Sequence, residues 1–385
     1  MDIKRFPSSA IYAITEKCNF ACDYCYTRFE DYIPDTDSID VFRNLIEIMN
    51  AQAAVRNDIP SIHFFGGEPL VAFQTIQEGV SYGNKLNKKF RWSMTTNACL
   101  LTPDVFDWCM NNGFGNILFS IDGPEEVHNA KRKFHDGSGT FDAVMKNVLY
   151  IKSKGLINKF ECRGTTSVDT VSRLADSYKF LYDDIGFGSA TVLPALEEDW
   201  NDEKLQVYED QLTEVGAWFI ENMRHGRELE IHQITDGIRQ LVGRSKATTP
   251  CGLGDRVIGV TAKGLFVSCH RLATRQSLPD EWILGDVFNG WDVEKFERGT
   301  AWDQGKRKSA AGYDCSLCPA NDSCTGMCIA SNWDIAGRKS PDDRYTVAKS
   351  ICDQTLIHFR VGSLVWRILR DNQFFIKWLK RRGLS

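Results

Sequence analysis

Cys18, Cys22 and Cys25 stand with three and then two residues between them, a spacing that lets three thiolates converge on one centre. The number of ligands is informative. A structural zinc or an ordinary electron-transfer cluster takes four closed ligands, whereas an iron–sulfur cubane held by three cysteines leaves one iron open to a small molecule. A second group crowds the last third of the chain: Cys251, Cys269, Cys315, Cys318, Cys324, Cys328 and Cys352. Only Cys99, Cys109 and Cys162 lie between the two, where they read as buried small hydrophobes. With 13 cysteines in all, two spaced clusters are the distribution of metal ligands rather than of disulfides. Cys315, Cys318, Cys324 and Cys328 also have the spacing of one zinc site, the mark of a zinc-stabilised peptide-binding adaptor, but zinc leaves Cys251, Cys269 and Cys352 without a role.

These residues need elements to position them. Short apolar or β-branched runs bounded by Gly, Pro, Asn or Asp predict strands at 10–14, 61–65, 90–95, 116–121, 160–166 and 188–193. Helical periodicity falls between them, at 38–52, 73–87, 103–111, 141–154 and 172–183. Six strands alternating with helices predict an α/β fold of parallel βα units, a partial (β/α)6 barrel of the TIM type, whose chemistry sits at the C-terminal ends of the strands. The first cysteine group directly follows the first strand. Four regions are expected: a core over 1–195, a helical bridge over 196–249, a small Cys-rich domain over 250–352 and a helical tail over 353–385. The tail carries Ile357, Val361, Leu364, Val365 and Ile368 on one expected apolar stripe. Its basic residues, Arg360, Arg367, Arg370, Lys377, Lys380, Arg381 and Arg382, offer either a docking face for an acidic partner or the solvated side of a capping helix.

Cys18, Cys22 and Cys25 after a first strand, with Gly66-Gly67-Glu68-Pro69 after a second, resemble the signature of the radical S-adenosylmethionine (SAM) enzymes. The resemblance implies that the three-cysteine [4Fe-4S] cluster binds SAM at its open iron, reduces the sulfonium and releases a 5′-deoxyadenosyl radical that abstracts hydrogen. Glycines at 66 and 67 would let backbone approach a ligand, and Glu68 would pair with the ammonium of SAM. Thr95-Thr96-Asn97, Ser120-Ile121-Asp122-Gly123-Pro124 and Arg132 resemble the family's further polar contacts, with Ser120 or Asp122 on the ribose. The seven late cysteines are similar in every interval to the SPASM extension of this family, which holds two auxiliary [4Fe-4S] clusters, three clusters in all. Carried over by position, Cys251, Cys269 and Cys328 go to the first auxiliary cluster, leaving one of its irons short of a cysteine ligand. Cys315, Cys318, Cys324 and Cys352 go to the second.

What such an enzyme acts on is narrowed by composition. Lys plus Arg number 46 against 51 Asp plus Glu, a net charge of −5, with no dense basic block in the first 350 residues, so nucleic acid is not expected. No apolar run is long enough to span a bilayer and the N-terminus lacks a signal-peptide pattern, so a cytoplasmic location is expected. SPASM relatives mostly modify peptides. The expected function is a maturase of ribosomally made and post-translationally modified peptides (RiPPs), an oxidoreductase that abstracts hydrogen from a precursor peptide and forms a thioether or carbon–carbon cross-link. The alternative is an anaerobic sulfatase maturase, which makes formylglycine and places an Asp after the second auxiliary cysteine. This chain has Cys269-His270-Arg271 there, with His270 as the candidate base. The resemblance also implies an electron donor such as flavodoxin or ferredoxin. Only 17 residues precede Cys18, so leader recognition is expected from the bridge, the tail or a separate leader-binding protein.

Overall fold

The computed structural model describes residues 6–29, 38–86, 89–242, 256–274, 278, 280–300, 304–321, 324, 326, 328–335 and 341–384. The first half of the chain runs β1 (Ser9–Thr15), α1 (Ile39–Arg56), β2 (Ser61–Gly66), α2 (Phe73–Gly83), β3 (Arg91–Thr96), α3 (Pro103–Asn111), β4 (Phe114–Phe119), α4 (Glu125–Lys131), α5 (Phe141–Ser153), β5 (Glu161–Thr166), α6 (Leu174–Lys179) and β6 (Ser189–Pro194). It continues through α7 (Asp202–Arg224), α8 (His232–Leu241), β7 (Ile258–Val260), β8 (Leu265–Val267), β9 (Ile283–Asp286), β10 (Gly290–Trp291), α9 (Val293–Thr300), β11 (Lys308–Ser309), α10 (Ile329–Ile335), β12 (Thr346–Val347), α11 (Lys349–Leu369) and α12 (Gln373–Arg381). All six predicted strands form. The α4 helix was not expected, and the helix expected over 172–183 is three pieces: a 3₁₀ turn at Val171–Arg173, α6, and a π-helical stretch at Phe180–Ile185 that Gly186 closes with φ of 94°.

The chain divides into two units, with one limit at 250, where the Cys-rich region was expected to open, and none at 195. The first holds the described residues of 1–120, 129–156 and 251–301. Its sheet runs β10-β9-β8-β7-β1-β2-β3-β4. The β1–β2, β2–β3 and β3–β4 pairs are parallel, as strands joined by crossover helices must be. On its other side β1 pairs in parallel with β7, Ala10 opposite Ile258 and Tyr12 opposite Val260, and β7 to β10 then fold back as an antiparallel meander. The core on one face of this sheet is aromatic. Trp92 stacks on Phe90 at 4.8 Å and on Phe64 at 6.0 Å, with the Phe42 ring of α1 edge-on to Phe64 at 5.4 Å. Two glycines of α2 make room for it: a Cβ on Gly79 would lie 2.1 Å from the Phe42 ring and one on Gly83 2.7 Å from Trp92. Alternation sends Ser61, His63 and Phe65 of β2 to the opposite, half-buried face.

The second unit holds the described residues of 121–128, 157–250 and 302–385. In it β5 and β6 pair in parallel, and α7, α8 and α11 form a helical layer. The α8 and α11 helices cross backbone to backbone, since a Cβ on Gly237 would stand 1.9 Å from His358 O and one on Gly362 2.5 Å from Gly237 C. The buried face of α11 includes Ile357, Val361 and Val365 but leaves Leu364 39% and Ile368 45% exposed, so the expected stripe is narrower than its sequence. The reason is this crossing, which brings Gly362 inward and leaves Leu364 and Ile368, about 160° and about 120° round the helix from it, outward. Three of the tail's basic residues meet neighbouring acids: Arg360 grips Glu209 with two bonds of 2.6 Å, Arg381 meets Glu228, and Arg382 meets Glu230.

His358 supplies a test of this layer. Its buried Nε2 shares a 2.7 Å hydrogen bond with Tyr208 Oη. Burial holds its pKa down to about 4 from the usual 6.5, with Asp236 opposing the shift and His232 adding to it. The folded state therefore keeps the ring neutral where the unfolded chain protonates it. Its contribution is intact above pH 6.5 and is lost as pH falls from 6.5 through about 4. At about 1.4 kcal/mol per unit the full loss is about 3 kcal/mol. His358→Gln should flatten the fall in melting temperature across that window, and an unchanged slope would assign the acid sensitivity elsewhere.

Candidate active site

The loop after β1 carries the first three cysteines, and backbone bonds hold it from two sides. Gly67 N–H donates to Thr15 O at 3.0 Å and Glu68 N–H to Lys17 O at 2.8 Å. A Cβ on Gly66 would stand 2.1 Å from Thr15 O, and one on Gly67 2.2 Å from Lys17 O. The sequence reading assigns the space beside these glycines to a ligand. In the structure it is filled by the entering cysteine loop itself. From the other side Ala21 N–H donates to Lys133 O at 2.7 Å and Asp23 N–H to Lys131 O at 3.0 Å. Phe20 packs edge-on against Phe134 at 5.3 Å, and His135 Nε2 lies 2.9 Å from Cys18 O.

Cys18, Cys22 and Cys25 are all half-buried. The Cys18 thiol is pushed far above its ordinary range by burial and by the negative charge of Glu68, against a lowering bond from Phe20 N–H, and neighbouring Cys22 and Cys25 push it further. Among the described residues no three His, Cys, Asp or Glu side chains stand as a preformed metal cage. The donor set nonetheless fits an iron–sulfur centre: thiols and a carboxylate that oppose one another's ionisation would be relieved by the positive charge that iron supplies. The rings of Tyr24 and Tyr26, flanking Cys25, are covered by arginines, Arg132 at 5.5 Å and Arg271 at 4.2 Å.

Glu68 is 1% exposed. Its Oε1 accepts from Thr96 Oγ1 at 2.7 Å and from Leu70 N–H at 3.1 Å, and its Oε2 accepts from Asn97 N–H at 2.7 Å. Burial pushes its pKa up to about 7, against the lowering effect of those three donors and of Arg132. The β3 end is built around this carboxylate. Asn97 Nδ2 donates to Asn19 Oδ1 in the cysteine loop at 2.8 Å, Ala98 takes φ of 64°, and Asn147 Nδ2 on α5 holds the carbonyls of Ala98 and Cys99, each at 2.9 Å. Cys99 is half-buried rather than buried, because this turn lifts it out of the core, while Cys109 and Cys162 are buried as expected.

The remaining expected residues are distributed between the units. Ser120 closes β4 with a bond from its N–H to Thr96 O at 2.9 Å, and Arg132 is buried over Tyr24. Asp122 belongs to the second unit, where its Oδ1 accepts from Thr165 N–H at 2.8 Å. Cys269 is buried in the first unit, and His270 beside it meets the Phe65 ring edge-on at 5.3 Å. Cys251 lies outside the described residues. Cys315, Cys318, Cys324, Cys328 and Cys352 are half-buried in the second unit. Burial raises the Cys352 thiol to about 11, with Ser309 opposing and with Cys324 and Cys315 adding to it. Cys324 is raised by burial and lowered by Arg307, with Cys318 and Cys315 raising it further, so Cys315, Cys318, Cys324 and Cys352 share one neighbourhood. Asn19, Asn147 and Arg271 escape sequence reasoning, since only the folded loops bring them to the cysteines and Glu68. His63 was missed as well, and alternation along the strand expected over 61–65 is the signal that would place it on the Phe65 side.

Glu68→Gln isolates the carboxylate's structural role. The amide keeps the acceptor facing Thr96 and Leu70 but sets a donor against Asn97 N–H, leaving a buried donor unpaired. A loss of about 1–3 kcal/mol in unfolding free energy is expected from chemical denaturation. Unchanged stability would mean that the β3 turn stands without it.

Residues 12–181 match the radical SAM superfamily. A cysteine-type anaerobic sulfatase-maturating enzyme of Clostridium perfringens is 24% identical over 328 residues, covering 81% of this chain and 85% of that one. The radical SAM cyclopropyl synthase TigE of Paramaledivibacter caminithermalis is 28% identical over 153 residues, covering 36% of this chain and 31% of that protein, so this second match spans less than a third of the relative. In fold, the chain is similar to AdoMet-bound anSMEcpe, with TM-score 0.74 at 19% identity over 96% of this chain and 97% of that one. It is also similar to Streptococcus suis SuiB bound to precursor peptide SuiA, with TM-score 0.57 at 14% identity over 90% of this chain and 76% of that one. The thiols of Cys18, Cys22 and Cys25 beside the buried Glu68, at the ends of parallel strands, thus stand within the stretch that matches the radical SAM superfamily.

Proposed function

We propose that the chain is a peptide-modifying radical SAM enzyme, a maturase that joins two side chains of a precursor peptide by a thioether or carbon–carbon bond. The observation that carries it is the gathering of three thiols and Glu68 where β1, β2 and β3 end. SAM on a three-cysteine cluster supplies one-electron chemistry that removes a hydrogen atom from a substrate carbon. Cys18, Cys22 and Cys25 would hold that cluster. Glu68 would take the amino group of SAM, and it is aimed for this by Thr96 and Asn97. Ser120, Asp122 and Arg132 remain the proposed contacts to the rest of SAM, and the C-terminal cysteines the proposed seats of auxiliary clusters that carry electrons away.

The choice of chemistry rests on His270. Its ring packs edge-on against Phe65 at the end of β2, so the position expected to carry an Asp in formylglycine formation holds an imidazole set against an aromatic ring. Formylglycine formation stands as a second reading, supported by the long alignment with the sulfatase-maturating enzyme.

Anaerobic protein with reconstituted clusters, SAM, a reductant and synthetic peptides containing Cys, Ser, Thr or Tyr decides between them by mass spectrometry. Cross-linking removes two hydrogens and nothing else, whereas the second reading gives an aldehyde that hydrazines capture. Cys22→Ala should reduce 5′-deoxyadenosine formation at least a hundredfold. A variant that still cleaves SAM at the parent rate would remove the assignment.

A further inference from the structure

His63 has no part in the site described so far. It sits in the middle of β2 on the half-buried face, between Ser61 and Phe65. Its Nδ1 is 2.9 Å from Ser93 Oγ and its Nε2 2.8 Å from Thr95 Oγ1, both on β3. Neutral imidazole donates through one nitrogen and accepts through the other, while imidazolium donates through both. Each hydroxyl can donate or accept by rotating, so this ring gains or loses a proton with neither bond broken. Filling the face alone would need only an apolar side chain, such as Phe65 supplies one pleat further on.

The surroundings connect the ring to the site. Thr95 immediately precedes Thr96, the hydroxyl partner of Glu68, and Phe65 immediately precedes Gly66 and touches His270. Along β2 the imidazole is about 7 Å from Phe65. Register and alternation put Ser9 and Ile11 of β1 and Arg91, Ser93 and Thr95 of β3 beside it on the same face. Among the described residues on this face of β1, β2 and β3, Arg91, exposed at the far end of β3, is the other ionisable group, with His270 and Glu68 beyond Phe65.

We propose that His63, acting through the hydroxyls of Ser93 and Thr95, takes up the proton that the peptide loses when it is oxidised. The inference rests on the peptide-oxidising reading above. Joining two side chains removes two hydrogens from the peptide. One leaves as a hydrogen atom to the adenosyl carbon released when SAM is cleaved with one electron from the donor. The other leaves as an electron, to an iron–sulfur centre, and a proton. The proton passes to one hydroxyl as that hydroxyl gives its own to the ring, and the half-exposed imidazolium returns it to water. His63 is thus a positioning and proton-holding residue that works through its neighbours.

The test uses the cluster-loaded chain, His63→Gln, and the pair Ser93→Ala with Thr95→Val, which keeps the ring but removes its relay. Whichever synthetic peptide yields product with the parent chain is the probe. His63→Gln should form 5′-deoxyadenosine within about twofold of the parent, and both variants should lose product per 5′-deoxyadenosine by about a hundredfold. The rise of product formation with pH in the parent should vanish in His63→Gln. Independently of turnover, exchange of the His63 imidazole C2 hydrogen into deuterated water, read by mass spectrometry across pH, should titrate in the parent and shift in the double variant. Parent-like yield and pH profile in His63→Gln, or an exchange rate indifferent to pH, overturns the proposal. If the parent makes no 5′-deoxyadenosine, the enzyme reading fails instead, and the exchange curve still decides whether His63 holds a proton.

Discussion

The carboxylate of Glu68 cannot be buried alone, and much of the first unit is arranged to prevent that. Two backbone N–H groups and a hydroxyl converge on it from its own turn and from the end of β3. To present those donors β3 must end in a turn whose Ala98 takes a left-handed conformation. That turn in turn needs Asn147 of α5 for its carbonyls and Asn19 of the cysteine loop for Asn97. A charge costing several kcal/mol to desolvate is thereby made into the joint of three segments. Burial still holds its pKa up at about 7, against the lowering effect of these bonds and of Arg132, so a further cation beside it would strengthen the joint.

What was legible in the sequence follows from which interactions are local. The six strands could be read because each is a short apolar run between turn residues, and the cysteine groups because ligand spacing is written directly in the chain. The Gly66-Gly67 pair was recognised but its packing was not, since the atoms that forbid a Cβ there belong to Thr15 and Lys17 of another segment. That distant segments share the first unit was illegible for a similar reason: residues 258–260 join the sheet through β1, and no composition change announces that pairing. The stripe on α11 was read too wide because helical periodicity does not show where a neighbouring glycine will draw the axis close.

The half-buried face of the first sheet differs in chemistry from the aromatic face behind it. Ser61 donates to Ser9 at 2.8 Å, and His63 spans two hydroxyls of β3, whereas Phe42, Phe64, Phe90 and Trp92 form a dry stack on the other side. One period of alternation thus separates the residues that make the sheet stable from those free to serve a reaction.

The pairing of β1 with β7 has a consequence for how the protein is made. The strand that leads into the three cysteines has β2 on one side, but its other edge is closed only by residues about 250 positions later. A ribosome adding roughly 5–20 residues per second leaves that edge open for about 10–50 s. During this interval Ala10–Tyr12 offers unpaired backbone to any other strand, and the cysteine loop hangs from a sheet that is still incomplete. Metal delivered in that window would meet thiols not yet held from both sides, so cluster assembly and completion of the sheet are in competition with aggregation from the first strand onward.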